Sequence, residues 1–178
     1  MSRARTVADF GAGTISAANV TGLTQGIAMV DQWRITANTN LATNGVISTN
    51  WEQSDDVMVG TVGSAMTQSS GVFTFPNTGI YMITMYVTFN VRGDGNVACV
   101  MQATADNSNW ETVAQVYQGN RDASENIQTG ANSFVMDVTN TTTHKIRFVT
   151  DSMGTSCEIA GLTDRNHTAF TFIRLGDT

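Results

Sequence analysis

Between Gly71 and Val91 the chain reads GVFTFPNTGIYMITMYVTFNV, and apolar side chains fall on every second position: Phe73 and Phe75, then Tyr81, Ile83, Met85, Val87, Phe89 and Val91. A period of two is that of a strand with one face buried. Pro76-Asn77-Thr78-Gly79 separates the two runs. Proline fixes φ and removes a ladder donor, and glycine takes φ > 0 readily, so one strand ends here and the next begins, as a central hairpin. The opposite face of the longer strand carries Met82, Thr84, Tyr86, Thr88 and Asn90, apolar at one end and polar at the other. Half of that face is expected to be covered, which puts the strand at the centre of a sandwich and makes it a candidate for an oligomer contact.

Shorter runs of the same kind surround it. Residues 27–36 place Ile27, Met29, Asp31, Trp33 and Ile35 on one face of a strand. Asp31 is awkward in that row, and an edge position or a partner such as Arg34 or Arg174 would relieve it. Residues 38–50 read as loop with a core contact at Gly45-Val46-Ile47, followed by Trp51 and a short strand near 65–68. Strands are expected at 97–104, 110–117, 133–138, 145–150, more weakly at 157–160, and at 168–175, separated by turn-rich stretches. Eight to ten strands and no convincing helix make an all-β sandwich or jelly roll.

Composition sharpens this. Only 13% of the 178 residues are charged, where about 25% is usual, and Lys145 is the sole lysine. Thr, Asn, Ser and Gly take their place, which suits pleated surfaces and turns. A net charge of -6 argues against nucleic acid as a partner, since phosphate binding needs a basic surface. No run approaches the roughly 20 apolar residues of a membrane span, and Asp9 and Gly11 interrupt any signal-peptide core. A cytoplasmic, reducing origin is therefore expected, leaving the Asn-x-Thr sequons at Asn19, Asn140 and Asn166 unused. Cys99 and Cys157 read as buried thiols, with a disulfide between them left open.

Residues 1–25 differ from the rest: Ala, Gly, Thr and Ser predominate, and Val7, Phe10, Ile15, Val20 and Leu23 follow no period. Such a segment cannot bury enough surface alone. It reads as an arm that orders on docking to another protein, with 26–178 as the folded domain.

The candidates for chemistry are weak. Arg92-Gly93-Asp94 is ordinary turn sequence. Asp106, Asn109 and Glu111, or Asp55 with Asp56, lack the ligand spacing of a calcium loop. His144 and His167 accompany no marked nucleophile, and no phosphate-cradling loop, metal cluster or cofactor site is apparent. Trp51, Trp110 and Tyr117 lie near strand ends, where they serve as core, subunit contact or stacking platform. The loops at 92–96, 106–110 and 119–130, with Asp94, Trp110 and Arg121, are the segments a rigid scaffold would present to a receptor.

Gly71, Phe73, Phe75, Pro76, Gly79, Tyr81, Ile83, Val87 and Phe89 fill, in order and spacing, a pattern that resembles the C1q/TNF-like jelly-roll superfamily. Thr168, Phe170, Phe172 and Leu175 echo that family's aromatic-rich last strand, without the glycine usual inside it. The resemblance implies a ten-stranded, two-sheet jelly roll, three copies of which associate about a threefold axis. It makes Tyr81, Phe170 and Phe172 candidates for that axis.

The opening Met1-Ser2-Arg3-Ala4-Arg5, the Ala8-Asp9-Phe10 step and the C-terminal sequence look like structural proteins of marine bacteriophages, particularly those of cyanobacteria. Taken together, these readings anticipate a non-enzymatic, trimeric virion protein (fibre, tail or capsid-decorating knob) assembled in the host cytoplasm. Arg3, Arg5, Val7 and Phe10 would dock it to other virion proteins, and its jelly roll would meet a host-surface glycan or receptor or stabilise the particle. The alternative is a C1q/TNF-like ligand or carbohydrate-binding module with no virion.

Overall fold

The computed structural model describes residues 26–42, 44–93, 95–120 and 127–178. Its strands are β1 (Met29–Ile35), β2 (Gly45–Val46), β3 (Trp51–Gln53), β4 (Thr67–Ser69), β5 (Val72–Thr74), β6 (Gly79–Asn90), β7 (Val97–Thr104), β8 (Glu111–Gln118), β9 (Ile127–Val138), β10 (Lys145–Asp151), β11 (Glu158–Ile159) and β12 (Ala169–Gly176). No helix occurs among the described residues.

Two antiparallel sheets result. In the first, β9 pairs along the whole of one edge of β6, while β12 and then β11 share the other edge, and β1 and β3 follow outward from β12. In the second, the order is β4-β5-β10-β7-β8, with β2 beside β10 beyond the end of β5. The twelve strands thus occupy five lanes in each sheet, which is the ten-lane jelly roll anticipated from the sequence. The two extra strands arise because one lane in each sheet is broken.

Alternation along β6 builds the core. Tyr81, Ile83, Met85, Val87 and Phe89 all have 0% exposure, and they face a layer from the second sheet that includes Phe73, Val97, Cys99, Met101, Ile146 and Phe148. Rings interlock across the sheets. Phe148 lies 4.0 Å from Phe170 between centroids, Trp51 stands edge-on to Phe73 at 4.8 Å, and Phe75 meets Tyr81 at 4.7 Å. The large buried area of such side chains supplies most of the driving force for folding.

Three expectations need correction. The first concerns Pro76–Gly79, which does not close a hairpin. Phe73 pairs with Gln68 and Ile146 in the second sheet, whereas β6 belongs to the first. The four residues carry the chain across the sandwich instead. Gly79 is needed there: its φ is +143°, and a Cβ would lie 2.5 Å from both the Arg174 Nε and the Gly176 carbonyl oxygen.

The second concerns the proposed threefold axis. Tyr81, Phe170 and Phe172 are all 0% exposed within a single chain. They lie between the sheets, and the Tyr81 hydroxyl donates to the Asn77 carbonyl at 2.9 Å. The alternation that makes them core residues leaves them no surface to offer a second copy.

The third concerns Asp31, which sits neither at an edge nor beside an arginine. It is 0% exposed. Its Oδ1 accepts from the Gln32 amide (2.9 Å) and Gln53 Nε2 (2.8 Å), and its Oδ2 from Trp33 Nε1 (2.9 Å) and the Met66 amide (2.8 Å). Four N–H donors, two of them backbone, replace the expected cation.

Candidate functional site: the outward face of the first sheet and the lateral pocket

Because Tyr81, Ile83 and Met85 point inward, Ile80, Met82, Thr84 and Tyr86 must point outward. Register then fixes what stands beside them. Val135 is opposite Met82, Met82 opposite Ile173, Ile173 opposite Val30, and Val30 bridges to Val62. An apolar lane therefore runs across the sheet from β9 to the segment after β3. It is open at both ends, with Val135 56% and Val62 46% exposed.

Two residues along, the lane is polar and internally bonded. Ser133 Oγ and Thr84 Oγ1 lie 2.9 Å apart, Gln32 Nε2 donates to Thr171 Oγ1 at 2.9 Å, and Asn166 Nδ2 donates to Gln32 Oε1 at 2.6 Å. A third lane runs Ala131, Tyr86, Ala169 and Arg34, with Tyr86 exposed. Arg34 ends it, buried to 1% exposure beneath three carboxylates: Nε to Glu52 (2.8 Å), Nη2 to Asp55 (2.8 Å) and Nη1 to Asp56 (2.5 Å). Burial acts to lower the guanidinium pKa, but the hydrogen bonds and charges of Glu52 and Asp56 outweigh it, so the net shift is upward. Asp55 and Asp56, weighed above as calcium ligands, serve this arginine.

At the opposite edge, where β8 and β9 part, the sandwich has an open lateral mouth of about 380 Å³. Val113, Phe134 and Met136 line it together with Glu111, Asp137 and His144. The neighbouring Asp106 organises the β7–β8 turn: its carboxylate accepts from the Asn109 amide (2.7 Å) and side chain, the Ser108 amide and Thr104 Oγ1. Those donors, Asn109 foremost, hold its pKa well below the usual carboxylate range. This is turn chemistry, and no group of three or more His, Cys, Asp or Glu suited to a metal occurs among the described residues.

The other sequence-derived sites are scattered. Trp110 is half-buried, with the Arg147 guanidinium 4.1 Å above its ring, an arrangement that already uses one face of the aromatic. Trp51 is a core ring, donating from Nε1 to the Ile47 carbonyl at 2.6 Å. Tyr117 is 46% exposed. Arg92 pairs with Glu158 at 3.2 Å and has a φ of +44°, as a turn residue does. Arg3, Arg5, Val7, Phe10, Asp94 and Arg121 lie outside the described residues. Cys99 and Cys157 are both buried thiols, and burial pushes the Cys99 thiol up to about 12. His144 lies near the Thr139 and Thr143 hydroxyls, at 3.4 and 3.2 Å.

The sequence reading passed over Val30, Val62, Val135 and Ile173. The usable signal was the phase of the last strand: with Phe170 and Phe172 turned inward, Thr171 and Ile173 must turn out. Val62 and Val135 could be found only through register with distant strands.

No protein-family model matches the chain, and no curated protein matches it. Solved structures do. Eiger TNF from S. frugiperda superposes with a TM-score of 0.64 at 10% identity, covering 86% of this chain and 96% of that one. Murine APRIL at pH 5.0 gives 0.61 at 14% identity, covering 83% and 98%, and murine APRIL at pH 8.0 gives 0.59 at 16% identity over the same shares. The fold of this chain is a TNF-like jelly-roll sandwich.

Proposed function

We propose that this chain is a non-enzymatic binding protein that assembles as a homotrimer through the outward face of its first sheet and presents its loops to a partner. The observation that carries this reading is the apolar lane Val135–Met82–Ile173–Val30–Val62, in register across four strands and open to solvent. Exposed apolar patches on a soluble domain mark interaction sites. The likeness to Eiger TNF and murine APRIL supports a ligand or sugar-binding module over a virion component. The virion setting rests on the opening residues, which lie outside the described part of the chain, and on a short likeness of the C-terminal sequence.

Light scattering on the purified full chain tests it. The wild type is expected at three times the chain mass, and Val135→Asp at the mass of one chain with unchanged circular dichroism. An unpaired carboxylate held in a dry contact costs several kcal/mol, enough to dissociate an assembly. A monomeric wild type, or an intact Val135→Asp trimer, overturns the reading.

A further inference from the structure

The gap between β8 and β9 is closed at one end and open at the other. These strands border different sheets, so no ladder joins them. At the closed end side-chain amides bridge the gap: Asn132 Nδ2 donates to the Gln115 carbonyl at 3.0 Å and Gln118 Nε2 to the Thr129 carbonyl at 3.1 Å. Toward Glu111 and Val138 the strands part around the mouth of about 380 Å³. Val113 and Phe134 stand there half-buried beside Met136, and all three pack on the core. That volume falls at the small end of ligand-site sizes, roughly 300–1,000 Å³.

Register fixes which end of the sandwich the mouth occupies. Met136 is in line with Tyr81, Arg174 and Met29, and Lys145 pairs with Thr104, which lines the mouth. The chain before Gly26 leaves the fold at this same end, three strands away from β9. The other stretches outside the described residues, at 43, 94 and 121–126, attach at the opposite end, near Thr150, Val97 and Gln118. Residues 10–30 carry no charge, so this stretch can lie on an apolar floor without stripping water from an ionised group. We propose that the mouth is the dock of the chain's own residues 10–23, with Ile15 and Val20 resting on Val113, Phe134 and Met136. Strand spacing puts β9 about 14 Å from β1. At roughly 3.5 Å per extended residue counted back from Gly26, Leu23 falls short of that distance and Val20 reaches it. The contact is made within one chain and does not rest on trimer formation.

A nitroxide on Ala18→Cys in the full chain, methyl-labelled for NMR, tests this, the native Cys99 and Cys157 being buried. The methyl signals of Val113, Met136 and Ala103 should be lost while the nitroxide is oxidised and return on reduction with ascorbate. Those of Val46 and Val97, at the other end, should stay. The same label beside Ile15→Asp and Val20→Asp should spare the mouth, because a carboxylate does not settle on an apolar floor. Equal loss with and without the two aspartates would show a nearby tether only and overturn the proposal, as would an unaffected mouth. Loss at Val135 and Ile173 instead would put the segment on the outward lane and overturn it too. In a last arm, isotope-labelled untagged chain and unlabelled tagged chain are refolded together from urea. The mouth signals should persist there; their loss would make a second copy the occupant. Light scattering on the same samples tells a failed dock from a failed trimer.

Discussion

Replacing Asp31 by asparagine changes a single heavy atom and should cost at least as much as removing the side chain. The carboxylate accepts four N–H groups, two on each oxygen. An asparagine amide offers one acceptor and one donor. Whichever way it turns, either Gln32 N–H and Gln53 Nε2, or Trp33 Nε1 and Met66 N–H, face another N–H. Each buried donor left without an acceptor costs roughly 1–3 kcal/mol, so two of them predict a loss of about 2–6 kcal/mol. Alanine strands the two backbone donors but frees the half-buried Trp33 and Gln53 to turn toward water. Asn is therefore expected to be no better than Ala. Urea unfolding followed by tryptophan fluorescence reads this at one fixed protein concentration, because self-association adds to apparent stability. With a slope near 2 kcal/mol/M, the midpoint should fall by about 1–3 M for either variant, the slope staying the same. An Asn variant within about 0.5 kcal/mol of wild type would show that the four-donor site is not what holds Asp31 in the core.

Three further outcomes follow from the same geometry. Phe170→Ala removes a ring tilted against Phe148 with centroids 4.0 Å apart and should cost about 3–5 kcal/mol while leaving the association state of the folded fraction unchanged; a selective loss of assembly would restore this residue to an intersubunit contact. Gly79→Ala sets a Cβ 2.5 Å from the Gly176 carbonyl oxygen at a φ of +143°, and a melting point below wild type by several degrees is expected, corresponding to ~1–3 kcal/mol; an unshifted melting point would show that the crossover relaxes freely. The Cys99 thiol, buried and pushed up to about 12, stays protonated at pH 8, so a chromogenic disulfide reagent should reach it only after denaturant is added; prompt labelling of Cys99 in the native protein would contradict its burial.

Much of the fold was legible because alternation is a local signal. The inward set on β6, from Tyr81 to Phe89, follows from the period of two, and so does the outward set that includes Met82. What failed did so where distance along the chain mattered. A four-residue turn with Pro76 and Gly79 looks the same whether the next strand pairs with the last or crosses to the other sheet; only the pairing of Phe73 with Ile146 decides it. Asp31 and Arg34 differ by three positions, an odd step that puts them on opposite faces of β1, so their pairing could have been ruled out from the sequence. The true partners, Gln53 and Met66, lie 22 and 35 residues away. The placing of Tyr81, Phe170 and Phe172 at an axis came from resemblance alone and conflicted with the phase that the alternation had already set.

The outward face of the first sheet is also suited to burial in a way its composition conceals. A polar lane between two apolar ones would ordinarily oppose desolvation, since a hydroxyl or amide left unbonded in a dry contact costs roughly 1–3 kcal/mol. Here Thr84 bonds Ser133, and Gln32 bonds Thr171 and Asn166, all within one chain. Covering the lane thus asks little of a partner's polar groups, and Met82, Ile173 and Val30 can be dried without leaving these side chains orphaned. Arg34 is handled in the same manner: its guanidinium is already out of water and surrounded by Glu52, Asp55 and Asp56. A face organised to bond its own polar groups meets a partner chiefly through shape and apolar contact. That is why a carboxylate at Val135, with nothing there to pair it, is a sharper probe of assembly than any change within the polar lane.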